Sequence, residues 1–204
     1  MIAIVNYGVG NLFSLECSLR AIGQETKVTD RAEDLRAADR LILPGVGAFG
    51  DAMDKLRASG LDRVILEQAD AGKPLMGICL GMQMLFERSH EYGLHSGLGL
   101  LHGEIRPLSE WIRPGLKIPQ IGWNALRLIR PEHPLFRDIL EGDDVYFVHS
   151  YAATDCEDSL LAVTEYGGQV TACVGKKNVC GCQFHPEKSG KIGLNILRAF
   201  AEME

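Results

Sequence analysis

Three short runs that are apolar at nearly every position, separated by helical stretches that stop on glycine, constrain this chain more than any other feature. The runs are Ile2 to Tyr7, Leu41 to Leu43 and Pro74 to Ile78. A strand that alternates apolar and polar residues can leave one face in water, whereas a strand apolar throughout needs cover on both faces. Leu12, Leu15, Leu19 and Ile22 follow the first run at helical spacing and end at Gly23. Glu25 to Thr29 reads as another strand, Asp30 with Glu33 as the capping-box start of a short helix, and two further helical stretches stop near Gly60 and Gly72. After the third run, Met82, Leu85 and Phe86 give the next segment one apolar helical face. Repeated strand and helix units predict an α/β fold: a mostly parallel central sheet with helices on both faces.

Beyond about residue 140 the pattern changes to closely spaced strands. Asp144 to Val148, Leu160 to Tyr166, Gln169 to Gly175 and Val179 to Phe184 are rich in β-branched and aromatic residues. Gly167-Gly168 reads as a two-residue hairpin turn, so an antiparallel C-terminal extension is expected. Ser189 stands where it can cap a last helix carrying Ile192, Ile196 and Phe200 on one stripe. Residues 91 to 142, broken by glycine and proline, are the least legible. Neither a repeat nor a linker divides the chain, and 204 residues suit one core, so residues 1–204 are expected to form a single domain. With 27 acidic against 21 basic residues the net charge is −6 and no basic patch offsets it, which argues against nucleic acid and anionic membrane as partners. No apolar run approaches about twenty residues and the first residues lack a basic lead, so a cytoplasmic chain with six reduced cysteines is expected.

Gly77-Ile78-Cys79-Leu80-Gly81 follows a buried strand and opens a helical stretch, the arrangement of a nucleophile elbow with cysteine at its centre. A side chain held on such a tight turn needs neighbours without Cβ, and the Leu80 N–H then points to where an oxyanion would develop. The start of a helix also favours thiolate over thiol. Cysteine equally fills cores as a small hydrophobe, so the motif alone leaves both readings open. A cysteine nucleophile needs a base, and the base needs a third group to orient it. Gln183-Phe184-His185-Pro186-Glu187 offers both: Pro186 biases His185 to an extended conformation, which would send His185 and Glu187 to the same side. Each motif supplies what the other lacks.

Two glycine loops carry weaker signals. Pro44-Gly45-Val46-Gly47-Ala48-Phe49-Gly50 matches the dinucleotide fingerprint in form but follows the wrong strand, and after Gly8-Val9-Gly10 the third glycine is replaced by Phe13. A dinucleotide-binding module is thus a lesser alternative, and the loop at 45–47 can instead turn backbone N–H groups toward a substrate carbonyl. Cys180-Gly181-Cys182 near His185 lacks the spacing of a structural zinc site, so neither metal nor cofactor is expected.

These stretches resemble the class I glutamine amidotransferases, through Cys79-Leu80-Gly81-Met82-Gln83 and His185-Pro186-Glu187. Asn6 to Leu12, Leu43 to Gly50, Pro119 to Asn124, Tyr146 to Tyr151 and Phe184 to Gly190 narrow the resemblance to the glutaminase subunits of imidazole glycerol phosphate synthases. The resemblance implies a flavodoxin-like α/β fold and a catalytic triad of Cys79, His185 and Glu187. It further implies an oxyanion hole from Leu80, Val46 and Gly45, and glutamine held by Gly47, Gln83, Glu91, Ser150 and Tyr151. Ammonia released from glutamine would pass to a (β/α)8 cyclase subunit making imidazole glycerol phosphate and an aminoimidazole carboxamide ribotide, in histidine biosynthesis. Asn11, Trp123, Tyr146 and Lys188 would lie at that partner's face. The glutaminase of another synthase, such as that of pyridoxal phosphate, is the alternative within the class.

Overall fold

The computed structural model describes residues 1–203. In chain order the elements are β1 (Ile2–Val5), α1 (Leu12–Ala21), β2 (Thr26–Thr29), α2 (Ala32–Ala37), β3 (Arg40–Gly45), α3 (Phe49–Ser59), α4 (Leu61–Asp70), β4 (Leu75–Cys79) and the one-turn α5 (Leu80–Gln83). There follow β5 (Phe86–Ser89), β6 (His95–Ser96), β7 (Leu101–Pro107), β8 (Gln120–Leu128), β9 (Asp144–His149), β10 (Tyr151–Thr154), β11 (Leu160–Glu165), β12 (Gln169–Lys176), β13 (Val179–Cys182) and α6 (Gly190–Glu202).

The apolar runs become central strands because alternate side chains feed two different cores. Ala3, Val5, Leu41 and Leu43 join the layer made by α2, α3 and α4, while Ile2, Ile4, Ile42, Met76 and Ile78 join α1 and α6 on the other face. The main sheet runs β2-β1-β3-β4-β13-β12-β11-β8-β9. From β2 to β13 neighbours are parallel, and from β13 through β12, β11 and β8 to β9 they are antiparallel. The expected mostly parallel core with an antiparallel extension is therefore present, with β13 as the strand where one pattern gives way to the other. This order brings the end of β4, which carries Cys79, beside the end of β13, which leads to His185.

Several local expectations are corrected. The apolar face of Met82, Leu85 and Phe86 does not continue as a helix: α5 stops after one turn and Phe86 starts β5, which pairs with β6 and β7 in a second sheet ordered β10-β7-β5-β6. Asp30 caps nothing at α2; Thr29 Oγ1 accepts from Arg31 N–H at 3.1 Å and donates to Asp34 at 2.7 Å. The β11–β12 connection holds three residues, since Glu165 pairs with Gln169 and Tyr166 N–H donates to the Gly168 carbonyl. Ser189 does not cap α6 with its side chain. Its hydroxyl donates to the His185 carbonyl at 2.7 Å and accepts from Tyr146 N–H at 3.0 Å, tying the turn after β13 to β9.

Candidate active site

Cys79 ends β4 with φ 54° and ψ −114°, a conformation that L residues avoid. Its glycine neighbours permit this turn. A Cβ on Gly77 would lie 2.5 Å from Met82 Cα, and one on Gly81 would collide with the Leu43 carbonyl. Cys79 thereby lines a pocket of about 340 Å³ together with Val46, Gly47, Leu80, Gln83, Glu91 and His185 among others.

His185 lines the same pocket and is almost fully buried. Its Nδ1 is 2.8 Å from Glu187 Oε1, and both side chains are nearly inaccessible to water. The route to that contact differs from the expected strand alternation. β13 stops at Cys182, His185 is extended, and Pro186–Lys188 form a single 3-10 turn that folds Glu187 back under the ring. Burial alone would lower the His185 pKa, but the interactions with Cys79 and Glu187 outweigh it and push the ring up to about 9. The imidazolium is thus held between an anion and a thiol that can become one.

Gly47, Gln83, Glu91, Ser150 and Tyr151 all line the pocket. Gln83 Nε2 donates to the Tyr151 carbonyl at 2.9 Å, and Glu91 accepts from Phe49 N–H at 2.6 Å at the start of α3. Burial raises the Glu91 carboxyl above its ordinary range, against that N–H and His95, which lower it. Leu80 and Val46 lie on the pocket wall. Gly45 does not: it pairs in register with Cys79 beneath the elbow, where a Cβ would lie 2.7 Å from Gly81 N. Gly50 is similarly needed for its missing Cβ, which would meet the His95 ring at 2.7 Å. These glycines make room for the chain's own atoms rather than for a dinucleotide.

Of the residues expected at a partner face, three cluster. Trp123 and Tyr146 are register partners on β8 and β9 with ring centroids 6.0 Å apart, and Lys188 Nζ lies 5.9 Å from the centre of the Tyr146 ring. Asn11 precedes α1, a helix that packs on the 3-10 turn carrying Lys188. Trp123, Ile121 and Val46 are large exposed hydrophobics.

Two buried polar residues of the pocket region escape motif reasoning. His149 lines the pocket and donates from Nδ1 to the Tyr151 carbonyl at 2.8 Å; burial lowers its pKa to about 4 and its Nε2 has no partner among the described residues. Gln183, fully buried, lies between Gln83 and Cys79. Their proximity in sequence to Ser150 and to His185 is the signal that could have pointed to them. Cys173 and Cys182 face each other across β12 and β13, and burial pushes both thiols well up; Cys180 is buried on the same strand as Cys182. Among the described residues no three His, Cys, Asp or Glu side chains converge on a metal site, and no helix is long and apolar enough to cross a membrane.

Comparisons with known proteins give the chain a family. The family model for glutamine amidotransferase class-I matches residues 3–203. Imidazole glycerol phosphate synthase subunit HisH of Lactococcus lactis subsp. lactis (strain IL1403) is 50% identical over 202 residues, covering 98% of each chain. The same subunit of Bacillus cereus (strain B4264) is 53% identical over 201 residues, covering 98% of this chain and 93% of its own. A crystal structure of a glutamine amidotransferase superposes with a TM-score of 0.75 at 19% identity, covering 98% of this chain and all of the other, which is a likeness of fold. The chain belongs to the class I glutamine amidotransferases, in the branch of imidazole glycerol phosphate synthase subunit HisH.

Proposed function

We propose that this chain hydrolyses glutamine to glutamate and ammonia, and that it supplies the ammonia to a (β/α)8 cyclase subunit of imidazole glycerol phosphate synthase in histidine biosynthesis. The observation that carries the reading is Cys79 raised on a strained turn into the pocket that His185 lines, with Glu187 2.8 Å behind the ring. The Cys79 sulfur attacks the side-chain carboxamide carbon, and the electron pair moves onto oxygen. Backbone N–H groups at Leu80 and in the Val46-Gly47 stretch, which line the pocket, receive that oxyanion. As the carbon–nitrogen bond breaks, the His185 imidazolium gives its proton to the departing nitrogen, leaving a thioester and free ammonia. Water, deprotonated by His185, then attacks the thioester, and glutamate leaves as the thiol reforms. Glu187 keeps the ring oriented and stabilises its charged form.

Gln83, Glu91, Ser150, Tyr151 and the Gly47 backbone would hold the amino-acid end of glutamine. A site of buried polar groups matched to an ammonium and a carboxylate discriminates by about 10⁴-fold against analogues lacking them. Trp123, Tyr146, Lys188 and Asn11 would form the cyclase face. Lys188 lines the pocket and reaches the Tyr146 ring, so docking there would be felt at the glutaminase site. The same proposal treats residues 1–204 as one glutaminase domain working in the cytoplasm. The test is glutamate release from glutamine, with and without the cyclase and its nucleotide ligand. Release that rises with the partner and vanishes in Cys79→Ala supports the reading; release that survives in Cys79→Ala overturns it.

A further inference from the structure

One backbone carbonyl sets the polarity of the hydrogen bonds beneath the nucleophile. Tyr151 O lies 2.8 Å from His149 Nδ1 and 2.9 Å from Gln83 Nε2. A carbonyl only accepts, so the Gln83 end facing it is the NH2 group. The same Nε2 lies 2.9 Å from Gln183 Oε1, which must therefore accept. The other end of the Gln183 amide is then the NH2 group, and its Nε2 is 3.7 Å from Cys79 Sγ. Polarity runs unbroken from a main-chain carbonyl to the sulfur, and reversing either amide would set two acceptors or two donors against each other.

We propose that Gln183 is a positioning residue for glutamine hydrolysis, presenting an N–H to the Cys79 sulfur while its oxygen holds the Gln83 amide in place. The inference rests on the reading of Cys79 as the nucleophile. With both amide hydrogens of Gln83 engaged, its Oε1 is left for the pocket that Gln83 lines. An N–H donor stabilises a thiolate more than a thiol, since hydrogen bonds to charged groups are the stronger ones. The titratable groups facing the sulfur are His185 after β13, Tyr7 after β1 and Cys182 on β13. Burial raises both the Tyr7 phenol and the Cys182 thiol, so both stay neutral near neutral pH. His185 supplies the charge, and Gln183 adds a neutral donor from a fully buried position.

Gln183→Met removes donor and acceptor at similar volume, whereas ionised Gln183→Glu keeps an acceptor for Gln83 and sets a negative charge against the sulfur where the donor stood. The experiment follows alkylation of Cys79 by iodoacetamide at pH 7 and pH 9.5, with the KM for glutamine of the chain in complex with its cyclase. At pH 7 Gln183→Met should alkylate about tenfold more slowly than the unsubstituted chain, the lower end expected for a hydrogen bond to a charged group, and Gln183→Glu should be slowed at least as much. The difference should close at pH 9.5, and KM should rise in Gln183→Met more than in Gln183→Glu. Equal slowing at both pH values, or none in folded Gln183→Met, would overturn the proposal; should Gln183→Glu fail to fold, Gln183→Met alone decides. Alkylation of Cys79 in the unsubstituted chain that left glutamate release intact would instead refute the underlying reading of Cys79.

Discussion

Replacing Cys79 by glycine and by alanine separates the strain of the elbow from the loss of its sulfur. Both variants lack the thiol and its contacts, so those losses cancel in the comparison, and what remains is a single Cβ at φ 54° and ψ −114°. At an unstrained buried site, alanine to glycine would cost about 1.5 kcal/mol: about 0.7 from added freedom of the unfolded chain and about 0.8 from the buried methyl. Here the Cβ is also the source of the strain, and a non-glycine residue held in such a region stores about 1–3 kcal/mol. Taking the middle of that range, Cys79→Gly should be more stable than Cys79→Ala by about 0.5 kcal/mol, a reversal of the usual order. Urea unfolding of the two variants side by side, with equal m values, reads the difference directly. If Cys79→Gly were less stable than Cys79→Ala by about 1 kcal/mol or more, the turn would carry no appreciable strain and the account of the elbow would be refuted.

Two further predictions concern charge. His149 has its pKa lowered to about 4 by burial, from an ordinary 6.5, so as pH falls the unfolded chain takes up the proton first. Stability should therefore decline between pH 6.5 and 4, by up to about 3 kcal/mol from this group, and His149→Gln should show a shallower acid decline in urea titrations at pH 7.5 and pH 5. His185 has the opposite sign: raised to about 9, its charged form stabilises the fold fully below pH 6.5 and ceases to do so as pH rises through 9. Glu187→Gln removes the carboxylate that supports the imidazolium, so glutaminase kcat should fall by at least about 10²-fold and the alkaline limb of its pH profile should move to lower pH. An unmoved alkaline limb would remove Glu187 from the triad.

The parts of the fold that sequence makes legible are those where one residue type has one physical use. Ile2 to Val5 and Leu41 to Leu43 must be covered on both faces, and each contributes to both cores. Gly77 and Gly81 flag the elbow because no other residue fits beside Met82 and Leu43. Phe86 is ambiguous by comparison, since a short apolar run suits a helix or a strand, and only pairing with the distant Leu101 makes it β5. β8 hides for another reason: Ile121 and Trp123 face outward, so its pattern is not that of a buried strand. In the site, Cys79 and His185 stand in motifs whose spacing carries chemistry. The buried polar shell does not, because the orientation of Gln183 depends on the Tyr151 carbonyl through Gln83, which is three-dimensional information. Ser189 illustrates the same limit: it stands at the N-cap position of α6, yet its hydroxyl serves the turn that carries His185.

The central claim is that the Cys79 sulfur forms the bond to the side-chain carbonyl carbon of glutamine. The most direct measurement is peptide-resolved mass spectrometry after incubation with a glutamine analogue bearing a diazo ketone in place of the carboxamide, with and without the cyclase subunit. The account predicts one adduct per chain, on Cys79, formed more slowly when glutamine competes, with loss of glutamate release in proportion to labelling. Labelling confined to another residue, or complete labelling of Cys79 with glutamate release undiminished, would contradict it.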